Sequence, residues 1–177
     1  MIYYWLRSLD IFLGGRFFWK KVNITEALSR TRRVSILDCE GMRYMNNSKY
    51  FFYMDLIRFE VLFRSKLYDA TLKKGIFPML GSQKIIYKKP LIMWTKFKIT
   101  ITVDGWDHKW VYHKQVFEQN GQIIAIGYTK VAFLKSKKTL DLHEILKEAG
   151  VTIPQRKPSE AVLALFESDY ELLQTQQ

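Results

Sequence analysis

Residues 38–63, DCEGMRYMNNSKYFFYMDLIRFEVLF, carry the strongest indication of how this chain folds. The carboxylates of Asp38 and Glu40 precede a predicted turn, and Asn46 and Asn47 follow it, where an apolar segment begins. The first N–H groups of a helix lack intrahelical acceptors and can hold a developing oxyanion. A carboxylate beside them can attack a carbonyl carbon or activate a water molecule. The stretch therefore predicts a reactive carboxylate beside the N-terminus of a helix.

The segment from about residue 47 to 72 has helical periodicity. Its main apolar stripe consists of Tyr50, Met54, Ile57, Val61 and Leu62. The stripe is widened by Phe51, Phe52, Phe59 and Phe63. A helix that is apolar around so much of its circumference does not lie on a protein surface. We therefore expect it to be wrapped by a sheet or packed into a partner, and to end near Gly75.

Strand patterns surround this helix in the sequence. Residues 32–37 (RRVSIL) precede it and alternate between apolar and polar side chains. Further strands are predicted at residues 77–87, 95–103, 110–118 and 122–134. Asn120-Gly121 predicts a type I′ hairpin turn, because both of its central residues need positive φ. The fold class is therefore α+β, with one long central helix wrapped by a curved antiparallel sheet of about five strands.

The composition favours one globular domain with a basic surface. The chain has 177 residues, 48% of them hydrophobic, which is enough for a real core. The formal net charge of +11 indicates either a solvated basic surface or an anionic partner, such as nucleic acid, anionic lipid or a phosphate-bearing molecule. The sequence shows no RNA-binding aromatic motif and no helix-turn-helix pattern, so we predict no nucleic-acid partner.

The cysteine and histidine residues indicate neither a disulfide nor a metal site. Cys39 is the only cysteine, so it has no partner for an internal disulfide, and we expect it to pack as a small apolar group. His108, His113 and His143 lack metal-ligand spacing, so we expect no metal ion.

Residues 1–31 form a predicted amphipathic N-terminal extension. Its apolar helical face consists of Ile2, Trp5, Leu6, Leu9, Phe12 and Leu13. Charges at Arg7, Asp10 and Arg16 interrupt the apolar run, so we expect no membrane-spanning helix. We also see no cleavable signal peptide, and we expect a cytoplasmic protein.

Two interpretations of this extension remain open. In the first, the helix packs on its own domain or on a dimer partner. In the second, it lies in a membrane interface, where aromatic side chains anchor it and basic side chains meet anionic headgroups. The anchors would be Trp5, Phe17, Phe18 and Trp19. The basic residues would be Arg16, Lys20 and Lys21. The second interpretation predicts a protein at the periphery of a membrane.

A family resemblance is carried by the residues that flank the helix start. Asp38-x-Glu40, followed by Tyr44-Met45-Asn46-Asn47-x-x-Tyr50, resembles the Asp-x-Asp…His-x-Asn-Asn-x-x-Tyr pattern of hotdog acyl-CoA and acyl-carrier-protein thioesterases. The branch it resembles is the 4-hydroxybenzoyl-CoA-thioesterase-like one, with its "thioesterase superfamily member" relatives. The resemblance implies a hotdog domain over residues 32–138. Residues 139–177 would be its C-terminal helical extension, with helices at 140–149 and from Ser159 to about residue 173.

The resemblance also implies roles for individual residues. Glu40 takes the position of the family's nucleophile or base, and the backbone N–H of Asn47 that of the oxyanion donor. Plant acyl-carrier-protein thioesterases carry additional Asn and His residues where this chain has Met42 and Tyr44. The possible accessory residues are Asp38, Tyr44, Asn46, Tyr50, Asp55 and Arg58. The possible contacts to CoA phosphates are Lys88, Lys89, Lys135, Lys137 and Lys138.

Two of the accessory residues have alternative roles. Asp38 is expected to cap a backbone turn or to pair with a local cation. Asp55 and Arg58 are spaced as an i, i+3 ion pair, although Asp55 is alternatively a catalytic carboxylate that faces a neighbouring subunit.

Two functional hypotheses follow. The first is a homodimeric or tetrameric thioesterase that hydrolyses a fatty or aromatic acyl thioester of CoA or of a carrier protein. It needs no cofactor, because CoA enters as part of the substrate. The alternative is a non-catalytic hotdog protein that binds acyl groups or a protein partner. In one form of this hypothesis, the protein is associated with a membrane.

Overall fold

The structure is a computed structural model that describes residues 2–41, 43–151 and 155–169. Its helices are α1 (Ile2–Leu13), α2 (Asn47–Arg64), α3 (Leu67–Ala70), α4 (Leu142–Glu148) and α5 (Glu160–Glu167). Its strands are β1 (Leu28–Arg33), β2 (Cys39–Glu40), β3 (Tyr44–Met45), β4 (Phe77–Tyr87), β5 (Lys96–Trp106), β6 (Val111–Gln119), β7 (Gln122–Lys135) and β8 (Lys138–Thr139). A π-helical turn follows α1 at Gly14–Phe18.

The main sheet is antiparallel, with the strand order β1-β5-β6-β7-β4, and β8 adds to the end of β7. Irregular pairing between Leu80 and Ser82, between Val103 and Gly105 and between Phe117 and Glu118 marks bulges, which bend strands and increase their twist. Asn120 and Gly121 both have positive φ, as the predicted hairpin turn requires.

The long helix α2 packs on one face of this sheet, and the core lies between them. Tyr50 of α2 contacts Phe117 of β6 edge-on, and Tyr53 contacts Phe97 of β5 in the same way. A Cβ atom on Gly127 would lie 2.3 Å from Cε of Met54, so the absent side chain lets the helix approach the sheet closely. The predicted α+β architecture, a long helix on an antiparallel sheet, is confirmed.

The first strand lies four residues earlier than predicted, with the same length of six residues. Residues 32–37 were expected to be extended, but β1 ends at Arg33 and residues 36–38 form a 3₁₀ turn. The Asp38 carboxylate accepts hydrogen bonds from the backbone N–H (2.9 Å) and the Oγ (2.7 Å) of Ser35. This capping box competes with strand pairing and explains the difference.

The predicted helix at residues 47–72 is broken near its C-terminus. Ser65 has extended backbone angles and ends α2, and α3 and a 3₁₀ turn (Leu72–Lys74) continue the chain. Gly75 then ends that turn in the left-handed conformation, at φ 70°. At the C-terminus, Ser159 precedes α5 as predicted, and the last predicted helical residues, 170–173, lie outside the described residues.

The N-terminal helix packs on its own domain, which is the first of the two interpretations, but only one edge of its predicted apolar face takes part. Ile11 is buried, and Phe12 contacts Phe63 of α2 edge-on at 5.2 Å. Phe12 belongs to the predicted apolar face, but the rest of that face that the structure describes, including Trp5 and Leu9, is exposed. Helical periodicity identifies residues that share a face, but it does not say whether that face meets protein or solvent.

The predicted membrane anchor Trp19 and the predicted headgroup contact Arg16 face the domain. Trp19 packs against the core, and the Arg30 guanidinium lies 4.6 Å from the centre of its ring. Arg16 lies 4.4 Å from the ring centre of Tyr68 and pairs with Asp69 at 3.7 Å.

A buried ionic cluster ties the segment after α1 to β1 and α2. Glu60 of α2 is 1% exposed, and both of its carboxylate oxygens accept from Nε of Arg30 at 2.8 Å. Arg64 also pairs with Glu60, and its Nε donates to the carbonyl oxygen of Lys20 at 2.8 Å. The cluster therefore joins three parts of the chain around one carboxylate.

Candidate active site

The predicted carboxylate turn is a tight hairpin of two short strands. Strand β2 pairs with β3, and Glu40 lies opposite Tyr44. Gly41 has φ 60°, which the turn requires and which a glycine adopts without strain. The Glu40 side chain is exposed, and its Oε2 accepts a hydrogen bond of 2.6 Å from Nδ2 of Asn46.

Asn46 also caps the central helix. Its Oδ1 accepts from the backbone N–H of Ser48 at 2.8 Å, and its own N–H donates to the carbonyl oxygen of Asp38 at 2.8 Å. Asn47 is the first helical residue, so its N–H belongs to the first turn, where intrahelical acceptors are lacking. One amide side chain therefore holds the Glu40 carboxylate beside the positive end of the helix dipole. This arrangement can place a base opposite an oxyanion site.

Asp38 is fully buried and positions the turn. In addition to its two bonds from Ser35, its Oδ2 accepts from the Tyr53 hydroxyl at 2.9 Å. Nζ of Lys49 lies 4.0 Å from Oδ1. These contacts point Asp38 into the core and away from the exposed surface at Glu40.

The two tyrosines of the motif occupy different environments. Tyr50 is buried, and its hydroxyl oxygen accepts from the backbone N–H of Leu91 at 3.0 Å. Burial raises the pKa of Tyr50, so it remains a neutral phenol at physiological pH. Tyr44 is exposed, and the guanidinium of Arg43 lies 4.9 Å from its ring centre. Met42 lies outside the described residues.

Exposed apolar side chains surround the turn, and the sequence did not identify them. Ile92 bridges to Tyr44, and the backbone N–H of Trp94 donates to the carbonyl oxygen of Val34. Ile92, Trp94 and Leu37 are all exposed. Trp94 has φ 66°, a rare backbone conformation for a bulky residue, and such outliers cluster at functional sites. We call these residues, with Tyr44, the apolar collar.

Asp55 and Arg58 form the predicted ion pair, and it lines a cavity of about 270 Å³ between α2 and the sheet. Most of the other lining residues are apolar, among them Leu62, Leu80 and Phe133. Burial raises the pKa of Asp55, against the opposing effect of the Arg58 guanidinium. The pair places charge in the wall of a largely apolar space, which His113 also lines.

A row of polar side chains crosses the sheet opposite this ion pair. His113 of β6 is paired in register with Thr129 of β7, which is paired with Gln83 of β4. The Thr129 hydroxyl lies 3.4 Å from Nδ1 of His113. Burial, with a smaller effect of the nearby Arg58, lowers the pKa of His113 to about 3. This imidazole is therefore neutral at physiological pH.

The neutral His113 predicts a loss of stability in acid. Unfolded histidine has a pKa of about 6.5, so between pH 6.5 and 3 the unfolded chain binds a proton that the folded chain does not. The free energy of unfolding should therefore fall as pH falls, by up to about 1.4 kcal/mol per pH unit from this residue. Urea unfolding at pH 7 and pH 5 would measure this fall in the free energy of unfolding.

His113→Gln should lose less stability between these pH values than the wild type, and His108→Gln, at an exposed position, should match the wild type. Equal pH dependence in all three proteins would contradict the assignment.

The predicted CoA-binding lysines lie at two ends of the sheet. Lys88 and Lys89 follow β4 next to Tyr87, whose ring contacts Tyr50 at the start of α2. Lys135, Lys137 and Lys138 lie around the β7–β8 turn, where Leu134 pairs with Phe77 at the other end of β4. The 11 residues of β4 separate the two ends by roughly 30 Å. Within one chain, only the first group lies at the same end as Glu40.

Comparison with known proteins gives a consistent result. Residues 34–164 match the family model of the thioesterase-like superfamily. The chain is 24% identical over 166 residues to protein THEM6 of Drosophila melanogaster, and the match covers 92% of this chain and 84% of that protein.

Solved structures share the fold. The YbaW probable thioesterase of Escherichia coli superposes with a TM-score of 0.65 at 19% identity, covering 72% of this chain and 99% of that one. A thioesterase of Thermus thermophilus, solved in complex with coenzyme A and Zn, superposes with a TM-score of 0.56 at 16% identity, covering 68% of this chain and 95% of that one.

Proposed function

The chain belongs to the thioesterase-like superfamily, and from this premise we propose that it hydrolyses a fatty or aromatic acyl thioester of CoA. Glu40 acts on the thioester carbonyl as nucleophile or general base. The N-terminus of α2, beginning with the N–H of Asn47, stabilises the oxyanion. The observation that carries the proposal is the Asn46 side chain, which binds Glu40 and caps the helix at the same time.

In the general-base form of the reaction, Glu40 removes a proton from water as the water oxygen adds to the carbonyl carbon. The carbonyl oxygen takes the negative charge and is held at the helix start. The intermediate then collapses, the C–S bond breaks, and the thiolate of CoA leaves and takes up the proton. The products are a carboxylic acid and free CoA. In the nucleophilic form, a Glu40 oxygen bonds to the carbonyl carbon, the C–S bond breaks and the thiolate of CoA leaves, which gives a mixed anhydride. Water then hydrolyses the anhydride, which releases the carboxylic acid and restores the Glu40 carboxylate.

The direct test is release of free thiol from a panel of acyl-CoA esters with short, medium, long and aromatic acyl groups. We expect hydrolysis of at least one class, and acyl-chain preference would identify the substrate. Binding of acyl-CoA without any thiol release would instead support the alternative, a non-catalytic acyl-binding protein. The exposed Lys88 and Lys89 are proposed to contact the CoA phosphates, and the CoA complex of the Thermus thermophilus protein of the same fold is consistent with a CoA site.

We also propose that the active form is a homodimer assembled through β4. This strand is an edge of the main sheet, 11 residues long, and exposes several large apolar side chains. They are Phe77, Met79, Leu80, Ile86 and Tyr87. A long apolar edge strand is a template for pairing with another strand.

Pairing of β4 with its copy about a two-fold axis would bring the two half-sites together. Helix α2 starts near Tyr87, and its later residue Leu62 lines the cavity with Leu80, so α2 runs antiparallel to β4. Antiparallel pairing then places the helix start of one subunit toward the cavity of the other. We propose that this cavity receives the acyl group. Asp55, in its wall, becomes the second candidate for the catalytic carboxylate.

The dimer predicts a specific effect of charge on the edge. Ile86→Lys should shift the protein from dimer to monomer and lower its activity, because lysine on an edge strand opposes strand pairing. Ile123→Lys, at an exposed position of the interior strand β7, is the matched control and should remain dimeric. Light scattering coupled to gel filtration measures both. A monomeric wild-type protein with full activity would contradict the dimer proposal.

A further inference from the structure

The outward side of the N-terminal segment is a continuous apolar surface. Trp5, Leu6, Leu9 and Leu13 are all exposed and cover an arc of about 100° on α1. Phe17 and Phe18 extend this surface beyond the helix, and Phe18 is 80% exposed. We call these six residues the N-terminal apolar surface. Large exposed apolar patches on folded domains mark sites of interaction.

Packing of α1 on the domain fixes the orientation of this surface. The opposite face of the helix is held by buried Ile11. At the edge of the surface, the ring of Phe12 contacts Phe63 and lies 6.4 Å from the ring of Tyr68. The π-helical turn that follows is packed as well, since a Cβ on Gly15 would lie 3.0 Å from Cβ of Phe63. The N-terminal apolar surface therefore points away from the domain that holds the helix.

Basic residues adjoin the same surface. Lys20 and Lys21 are exposed directly after Phe18 and Trp19, and Nζ of Lys21 donates to the carbonyl oxygens of Gly15 (2.8 Å) and Arg16 (3.1 Å). The whole chain carries a formal net charge of +11. Aromatic and leucine side chains on one face, with lysines beside them, are the composition of helices that lie in the interface of an anionic membrane.

The length of the helix decides how it would meet a bilayer. Helix α1 has 12 residues and is about 18 Å long, whereas the hydrocarbon core of a bilayer is about 30 Å thick. Among the described residues, none of the helices combines the length and hydrophobicity that crossing a membrane requires. Because Ile11 and Phe12 hold α1 against the domain, its exposed side would meet a bilayer along the length of the helix, in the plane of the interface.

We propose that the N-terminal apolar surface binds an anionic phospholipid membrane. Trp5, Leu9 and Phe18 enter the boundary between headgroups and acyl chains, and Lys20 contacts the phosphates. The domain on which α1 packs is then held at the membrane surface. This proposal does not depend on the chemistry of Glu40.

The test is flotation of the full chain with vesicles of phosphatidylcholine alone and of phosphatidylcholine mixed with phosphatidylserine. The wild type should float with the mixed vesicles and less with the neutral ones, and salt should weaken binding. The double variant Trp5→Gln/Leu9→Gln should reduce the partition coefficient by about tenfold or more, because two side chains lose their burial. Lys20→Glu should weaken binding to the mixed vesicles only.

The matched control is Ile123→Gln/Leu163→Gln, which removes two large apolar side chains exposed elsewhere and should float like the wild type. Thermal unfolding monitored by circular dichroism should show that all variants are folded. The proposal is wrong if the wild type floats with neither vesicle, or if the two double variants float equally. It is also wrong if Trp5→Gln/Leu9→Gln lowers the oligomeric mass and leaves flotation unchanged, since the surface would then join copies of the chain.

Discussion

Replacing Glu40 with glutamine is expected to lower kcat for acyl-CoA hydrolysis by about 10²- to 10⁴-fold, the range that positioned acid–base groups contribute. The amide keeps the size of the side chain and can still contact Asn46, but it cannot accept a proton from water or attack the carbonyl carbon. Because Glu40 is exposed and its contact is with a cap, the variant should unfold at the temperature of the wild type. Thiol release at saturating acyl-CoA measures kcat.

One further variant is the control for this experiment, and another tests the second candidate for the catalytic carboxylate. Glu26→Gln changes another exposed carboxylate and should leave kcat unchanged. Asp55→Asn tests the carboxylate in the cavity wall. If Asp55→Asn abolishes hydrolysis and Glu40→Gln does not, the catalytic group lies on α2 and the role proposed for Glu40 is wrong. Glu40→Asp shortens the acid to the length of the resembled family's aspartate and reports how strictly its reach is set.

Replacing Glu60 with alanine is expected to lower the free energy of unfolding by about 3–5 kcal/mol, the cost of leaving buried charges without their partner. Glu60 is 1% exposed and is the common partner of Arg30 and Arg64, so its removal leaves the buried Arg64 guanidinium and the part-buried one of Arg30 without their carboxylate. For a chain of this size, the midpoint of thermal unfolding should fall by roughly 10 °C. Urea unfolding and calorimetry measure these quantities.

An exposed carboxylate provides the comparison for Glu60. Asp69 pairs with Lys73 at 2.7 Å, but its side chain is 47% exposed, so Asp69→Ala should cost no more than about 1 kcal/mol. A cost below about 1 kcal/mol for Glu60→Ala as well would show that the cluster does not hold the N-terminal segment to the domain.

The elements set by local sequence were predictable. The helix start at Asn47, the hairpin at Asn120-Gly121 and the alternating strand at residues 95–103 all follow from caps, turn residues and periodicity. The strand at residues 32–37 was not, because one buried side chain, that of Asp38, converts its end into a 3₁₀ turn. For α1 the sequence left two orientations of the apolar face open, because the choice between them depends on contacts with α2.

The candidate site also has one part that the sequence predicts and one part that it does not. Glu40, Asn46 and Asn47 lie within eight residues of one another, so their proximity could be inferred from the motif. The apolar collar includes Leu37 and Trp94, which are far apart in the sequence, and the cavity is lined by residues from α2 and several strands. Those sets come together only through the pairing of strands, and no spacing in the sequence reveals that register.

The double role of Asn46 has an evolutionary consequence. In many enzymes the residues that speed turnover burden the fold, and selection must trade one property against the other. Here a single amide caps the central helix and binds Glu40, the carboxylate to which we assign the chemistry. A substitution at position 46 should harm folding and chemistry together, so selection for a robust protein and selection for a fast one would favour the same residue.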